Sequence, residues 1–302
     1  MNKIKSFLEL VTDKSEAPEP IIDDGILLPE SMLMIIGPPK VGKTFLAYNF
    51  ATALIAGKDF AGFKINGSHN VIYLSMEGGY YPNRKRIRRI SKGLEKEVLG
   101  KGYYGDFYKL NLDNQGHYDQ LESVVCDVSP CVLFLDPLIR FHTQDENSSA
   151  GMGKIMGILR NLIHQTGVAI ILIHHTGKQY SLGGRGSSVI TGEYDSAIYM
   201  KKGCNDVKLS FDMRHVETPA KRSIQFNSDT FWFEETGNEF GTQVNPVAEF
   251  LTGEGEMKQS ELVNQMIKKG VGKKTSVYRW LDEAKANGEI QINGKMLSLS
   301  KK

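Results

Sequence analysis

Gly37-Pro38-Pro39-Lys40-Val41-Gly42-Lys43-Thr44 lies between an apolar run at 32–36 and a segment at 45–56 whose apolar residues recur at helical spacing. A buried strand, a glycine-bearing turn and a helix in that order make a phosphate-binding loop inside an α/β sheet. Few other sequences constrain a fold so tightly. Backbone N–H groups of the loop would wrap a polyphosphate, and the helix start would add its partial positive charge. The expected ligand is ATP, held by Gly37, Pro38, Pro39, Lys40, Val41, Gly42, Lys43, Thr44 and the following Phe45. Lys43 would reach the β- and γ-phosphates, and the Thr44 hydroxyl would hold Mg²⁺.

A chain of 302 residues can hold one α/β domain of about 200–250 residues and a small accessory domain. No apolar run approaches the roughly 20 residues needed to span a membrane. Met1-Asn2-Lys3 does not open a signal peptide, so a cytoplasmic protein with no membrane partner is expected. Cys126, Cys131 and Cys204 have no metal-ligand spacing and are odd in number, as expected of reduced thiols. A net charge of +2 argues neither for nor against nucleic acid, which leaves that question to local patches.

Residues 1–28 read as an arm, with a helix-like start at 4–11 and an acidic, proline-containing stretch at 15–24. From 29 to 235, strand and helix patterns alternate, which predicts a mostly parallel sheet flanked by helices. The expected strands are 32–36, 71–75, 107–111, 131–136, 168–174, 195–201 and 207–213, with a closing hairpin of 221–227 and 230–234. A polar linker follows at 236–244. Residues 245–302 then predict helices at 246–252, 258–269 and 275–287 and a hairpin of 289–292 with 295–299, which is a winged-helix pattern.

Cys131-Val132-Leu133-Phe134-Leu135-Asp136 is an apolar strand ending in a carboxylate, the Walker B pattern, in which Asp136 would orient Mg²⁺. Pro137 follows, so the residue after this aspartate cannot be a general base. The best replacement is Glu77, just past the strand at 71–75, where it would point at the γ-phosphate from the carboxyl edge of the sheet. A solvated loop carboxylate is the alternative, since Gly78-Gly79 suits any turn. The strand at 168–174 ends in His174-His175-Thr176, and His175 is the candidate contact to the γ-phosphate.

Glu77, the Asp136-Pro137 ending, 131–142 extended by Asn147-Ser148-Ser149, the stretch 171–178 and Arg185-Gly186-Ser187-Ser188 together resemble the RecA-like family. The likeness spans about 30–234 and is greatest to hexameric replicative helicases of the RepA and DnaB type and related phage and plasmid ATPases. The resemblance implies a catalytic role for Glu77, a γ-phosphate sensor at the histidine strand tip and nucleic-acid loops after it. It also implies an arginine finger reaching into a neighbouring subunit's site, here Arg214 with Arg222 in reserve, and hence a homo-hexamer. DnaB-like relatives carry a lysine two residues before that arginine, where this chain has Asp212.

Single-stranded DNA is the expected partner of the glycine-rich stretch 178–188, through Lys178, Tyr180 and Arg185. A mobile surface or subunit-contact loop is its alternative. The basic run 84–89 reads as a solvated helix face or as a bridge to nucleotide or a neighbouring subunit. Lys273, Lys274 and Arg279 cluster near the start of the presumed recognition helix and would meet duplex DNA. Three functions compete: an oligomeric Mg²⁺-dependent ATPase and replicative helicase, a nucleotide-switched DNA-binding regulator without unwinding activity, and a small-molecule kinase. The last leaves the winged helix and the paired histidines without a purpose.

Overall fold

The computed structural model describes residues 4–106, 109–175, 188–236, 245–272, 274–286, 288–293 and 296–300. They form two compact units, 1–201 with 207–235, and 202–206 with 236–302.

The first unit opens with helix α1 (Phe7–Thr12), closed at its start by a reciprocal Ser6–Glu9 capping box. The sheet elements follow: β1 (Met32–Gly37), α2 (Lys43–Ala56), β2 (Val71–Ser75), α3 (Tyr80–Ile90), the short α4 (Lys96–Leu99), β3 (Gly102–Asp106), α5 (Gln115–Val128) and β4 (Val132–Asp136). Then come a single 3₁₀ turn (Leu138–Arg140), α6 (Ser149–Thr166), β5 (Ala169–His175), α7 (Ser188–Glu193), β6 (Ser196–Lys202), β7 (Val207–Met213), β8 (Arg222–Phe226) and β9 (Phe233–Glu235). The sheet runs β3-β2-β4-β5-β1-β6-β7-β8-β9. Its first six strands are joined by parallel ladders, while β7–β8 and β8–β9 are antiparallel.

Both faces of the central parallel strands β1, β2, β4 and β5 are covered, so these four are buried along nearly their whole length and mostly apolar. In β1, Leu33 and Ile35 pack toward α2 with Leu46, Phe50 and Leu54. Met32, Met34 and Ile36 face the other way, into the layer of α5 and α6 with Leu121, Ile155 and Leu159. That alternation is the period-2 geometry of a strand. Each such buried side chain contributes about 1.5–3 kcal/mol.

Two sequence expectations are corrected here. Residues 21–27 are core, not arm: Ile21, Ile22, Ile26 and Leu27 are buried, and Ile22 bridges to both Leu27 and Ile65. Their acidic neighbours Asp23 and Asp24 hid this apolar set. The strand expected at 107–111 lies earlier, at Gly102–Asp106, and residues 107–108 fall outside the described residues. This edge strand is half-exposed, with two glycines and no alternation of apolar residues, so periodicity could not find it.

The second unit contains α8 (Pro246–Glu254), β10 (Met257–Lys258), α9 (Gln259–Lys268), α10 (Lys274–Ala286), β11 (Ile290–Asn293) and β12 (Met296–Leu299). Its antiparallel sheet is ordered β10-β12-β11. Val247, Leu251, Leu262, Met266, Val277, Leu281 and Leu297 form a core of its own. The two-residue strand β10 is an addition to the expected pattern, too short to register as a period.

Candidate nucleotide-binding and hydrolysis site

The loop between β1 and α2 has the backbone that a phosphate cradle needs. Gly42 caps α2 at φ +104, a left-handed conformation closed to most L residues, and a Cβ there would meet the Phe233 ring at 2.8 Å. A Cβ on Gly37 would lie 2.8 Å from the Met200 carbonyl oxygen. The N-cap of α2 makes no side-chain hydrogen bond, which leaves its first-turn N–H groups available to a ligand.

Lys43 is buried and donates to the carbonyls of Gly37 at 2.8 Å and Pro38 at 2.9 Å. Burial lowers its ammonium to about 8, against the opposing pull of Asp136 and Glu77. The Thr44 hydroxyl donates to Asp136 Oδ1 at 3.4 Å. The Tyr73 phenol donates to the other carboxylate oxygen at 2.6 Å. Burial pushes the Asp136 carboxyl up to about 6, with hydrogen bonds from Tyr73 and Thr44 pulling the other way. A hydroxyl and a desolvated carboxylate meeting at the phosphate loop fit a hard divalent cation that takes most of its remaining ligands from phosphate and water. No group of three or more His, Cys, Asp or Glu among the described residues could hold a metal by itself.

Ser75 pairs in register with Asp136, which sets Glu77 two residues beyond the carboxyl end of the neighbouring strand. Its carboxylate lies 3.5 Å from Arg140, both side chains being well exposed. The backbone of Glu77 is fixed more firmly. The buried Asn83 amide donates to the Glu77 carbonyl at 2.8 Å, to the Tyr104 hydroxyl at 2.8 Å and to Ser75 Oγ at 3.3 Å. Arg86 in turn donates to Asn83 Oδ1 at 2.8 Å.

The two histidines divide their surroundings. His174 is buried and faces Glu146 at 3.6 Å. His175 pairs in register with Gly37. Its imidazole is held below the usual histidine range by burial and by the charge of Lys43. It is therefore neutral near pH 7, and its buried Nδ1 has no hydrogen-bond partner among the described residues.

Arg214 is exposed, and its guanidinium donates to the Gly192 carbonyl. Asp212, the departure from the DnaB-like pattern, accepts from the Tyr194 hydroxyl at 2.7 Å, which also meets Tyr199 at 2.9 Å. Arg222, the reserve candidate, is engaged within its own chain. Its side chain is 13% exposed and pairs with Asp24 at 2.6 Å, and its guanidinium lies over Phe63 and Phe211.

Lys178, Tyr180, Arg185 and Lys273 lie outside the described residues. In the second unit, Lys274 is exposed at the start of α10, whereas Arg279 is half-buried, with its Nε enclosed and without a hydrogen-bond partner among the described residues. Burial of that kind sets Arg279 apart from the exposed cations expected at a groove. Sequence reasoning missed Tyr73, Asn83 and Arg140. The signal for Asn83 was there: it is the one amide side chain of α3, immediately before the basic run 84–89. Beside the loop, the half-buried rings of Phe45, Phe226 and Phe231 cluster with centroids 4.7, 5.3 and 5.9 Å apart, a surface the sequence did not announce.

These features define a P-loop ATPase site on a RecA-like sheet. The AAA domain family AAA_25 matches residues 4–181, more than half of the chain, and the chain belongs to that family. Among solved structures, one ATPase domain is similar with a TM-score of 0.54 at 14% identity, over 68% of this chain and 84% of that one. A DnaB-like replicative helicase, described with its interactions with primase, gives 0.52 at 14% identity over 68% of this chain. The match takes in 57% of that helicase chain. At such identities the likeness is one of fold, and it agrees with the DnaB-type resemblance read from the motifs.

Proposed function

We propose that this protein is a Mg²⁺-dependent ATPase acting on nucleic acid, a plasmid- or phage-type replicative DNA helicase working as a homo-hexamer. The observation that carries the reading is the convergence of Lys43, Thr44 and Asp136 at the loop, with Glu77 two residues past the adjoining strand. The fold likeness to a DnaB-like replicative helicase supports the choice of substrate class.

In this reading, Lys43 exchanges the carbonyls of Gly37 and Pro38 for β- and γ-phosphate oxygens. Thr44 and Asp136 hold Mg²⁺, which when bound neutralises phosphate charge and orients the triphosphate. Glu77 orients the attacking water and accepts its proton. Neutral His175 hydrogen-bonds the γ-phosphate and changes partner when that group leaves. Arg214 of each subunit reaches the neighbour's site, and the 178–188 loop meets single-stranded DNA. The aromatic cluster of Phe45, Phe226 and Phe231 offers stacking faces to the base.

The test is steady-state ATP hydrolysis with and without single-stranded DNA, together with unwinding of a forked duplex. DNA-stimulated hydrolysis with unwinding is expected. DNA-independent hydrolysis without unwinding would contradict the helicase reading. The second reading, a nucleotide-switched DNA-binding regulator, is favoured by the separate core of the 245–300 unit. Tight duplex binding that depends on Lys274 and changes with nucleotide state would support it.

A further inference from the structure

The basic run on α3 does not form one uniform face. Asn83 and Arg86 turn toward Glu77 and the first turn of α2, where the Arg86 guanidinium lies 5.3 Å from the Phe45 ring centre. Tyr81, Arg84, Lys85 and Arg88 recur at i, i+3, i+4 and i+7, which places them on one stripe of the helix. With Arg89 they line a basin of about 450 Å³ containing no carboxylate. Arg84 lies 5.4 Å from the Tyr80 ring centre and 5.0 Å from that of Tyr81. Both rings remain open, at 51% and 70% exposure.

Arg84, Lys85 and Arg88 make no ion pair with any described residue. Arg84 with Arg88, and Lys85 with Arg89, are like-charge i,i+4 pairs, which destabilise a helix. An anionic partner would relieve that repulsion. An acidic peptide would satisfy the cations without requiring two adjacent exposed rings. A single strand uses both, with phosphates on the cations and unstacked bases on aromatic faces.

We infer that the outward face of α3 is a seat for single-stranded nucleic acid, in addition to the stretch 178–188 assigned to it from the sequence. Bases stack on Tyr80 and Tyr81, and phosphates lie on Arg84, Lys85 and Arg88. Occupation of the seat is felt at Glu77, because Tyr80 follows it through Gly78 and Gly79 alone, at φ +84 and +69, and Asn83 on the same helix holds the Glu77 carbonyl. This coupling rests on the ATPase reading above, whereas the seat does not.

The experiment measures binding of a fluorescent oligo(dT) probe by the full chain across a salt series, beside basal and DNA-stimulated ATP hydrolysis. The variants are Arg84→Glu/Lys85→Glu/Arg88→Glu and Tyr80→Ala/Tyr81→Ala. For the charge variant, the slope of log affinity against log salt falls by about 2, since each neutralised single-strand phosphate contributes about 0.7. For the tyrosine variant, affinity falls about tenfold or more with the slope unchanged. Both keep basal hydrolysis within about twofold of wild type, which reports that they fold, and both lose stimulation by DNA. An unchanged slope and affinity in the charge variant would overturn the seat. So would displacement of oligo(dT) from the wild-type protein by polyglutamate as readily as by unlabelled oligo(dT), which would assign the basin to an acidic protein. Stimulation retained despite lost binding would overturn the coupling alone. Absence of hydrolysis by wild type under every condition would sink the ATPase reading and the coupling with it, while the salt slope still decides the seat.

Discussion

The phenol of Tyr73 donates a 2.6 Å hydrogen bond to Asp136 Oδ2 from inside the sheet, where both residues are buried. The tyrosine is itself stacked between Tyr48 and Phe134, at 4.4 and 5.3 Å between ring centres. It therefore fixes the carboxylate that is proposed to hold the cation. Removing the hydroxyl leaves Asp136 with Thr44 as its one remaining side-chain hydrogen-bond donor among the described residues. A hydrogen bond to a charged group is worth about 1.5–3 kcal/mol. Tyr73→Phe is thus expected to raise the Mg²⁺ concentration for half-maximal hydrolysis about tenfold or more, with ATP binding in EDTA unchanged. A magnesium titration of activity beside equilibrium nucleotide binding checks this.

The two amide N–H groups of Asn83 are shared among the Glu77 carbonyl, the Tyr104 hydroxyl and Ser75 Oγ, at a position with no solvent exposure. Asn83→Ala strands several buried polar atoms, at a cost of about 1–3 kcal/mol in stability. It also frees the Glu77 carbonyl that Asn83 holds. The expected kinetic result is a fall in kcat of about tenfold or more with little change in KM for ATP. Equal losses in affinity and turnover would show that Asn83 acts on nucleotide binding instead.

Much of this site was legible from residue order. The glycine loop required β1 before it and α2 after it, and a strand ending in Asp136 had only the neighbourhood of the loop in which to act. Glu77 is the candidate because Pro137 closes the usual place of the base, and its role remains part of the proposal. Tyr73 was not legible, because it sits among Val71, Ile72 and Leu74 as one more large strand residue. Its role depends on the pairing of β2 with β4, a long-range contact that periodicity does not encode. The partner of Arg222 was hidden for the same reason: a lone arginine at the start of β8 gives no sign that Asp24, almost two hundred residues earlier, awaits it.

Asp113 ties the loop before α5 to the segment after the 3₁₀ turn. It accepts from the Thr143 backbone and hydroxyl and from Gln144. Burial pushes its carboxyl up, but those hydrogen bonds outweigh it and hold the group at about 2, below the ordinary 3.8. A carboxyl depressed in the folded state adds stability above about pH 4, and that stability is lost as pH falls toward 2. Asp113→Asn should therefore cost about 1 kcal/mol at pH 7, after allowance for partial solvent screening. The difference from wild type should shrink toward pH 2. Urea unfolding at pH 7, 4 and 2.5 measures it, and a constant difference would remove Asp113 as its source.

Arg214 is exposed, and its intrachain partner is a backbone carbonyl with no charge. A residue so placed can swing to a neighbour at small cost. Arg214→Ala is expected to lower turnover by about 10³-fold or more, within the range known for arginine fingers, while each subunit still binds ATP. Mixing Arg214→Ala with Glu77→Ala subunits should restore part of the activity, because some interfaces then pair an intact Glu77 with an intact Arg214. No recovery from subunits shown to mix would assign Arg214 a role within its own chain.

The most direct test of the account is the turnover of Glu77→Gln against wild type at saturating ATP and Mg²⁺, with ATP binding measured separately on both. Glutamine keeps the size of the side chain and its hydrogen bonds but cannot accept the proton. The account predicts binding within about threefold of wild type and hydrolysis slower by about 10²–10⁴-fold. Turnover at the wild-type rate with ATP bound would contradict it and return Glu77 to the status of a loop carboxylate paired with Arg140.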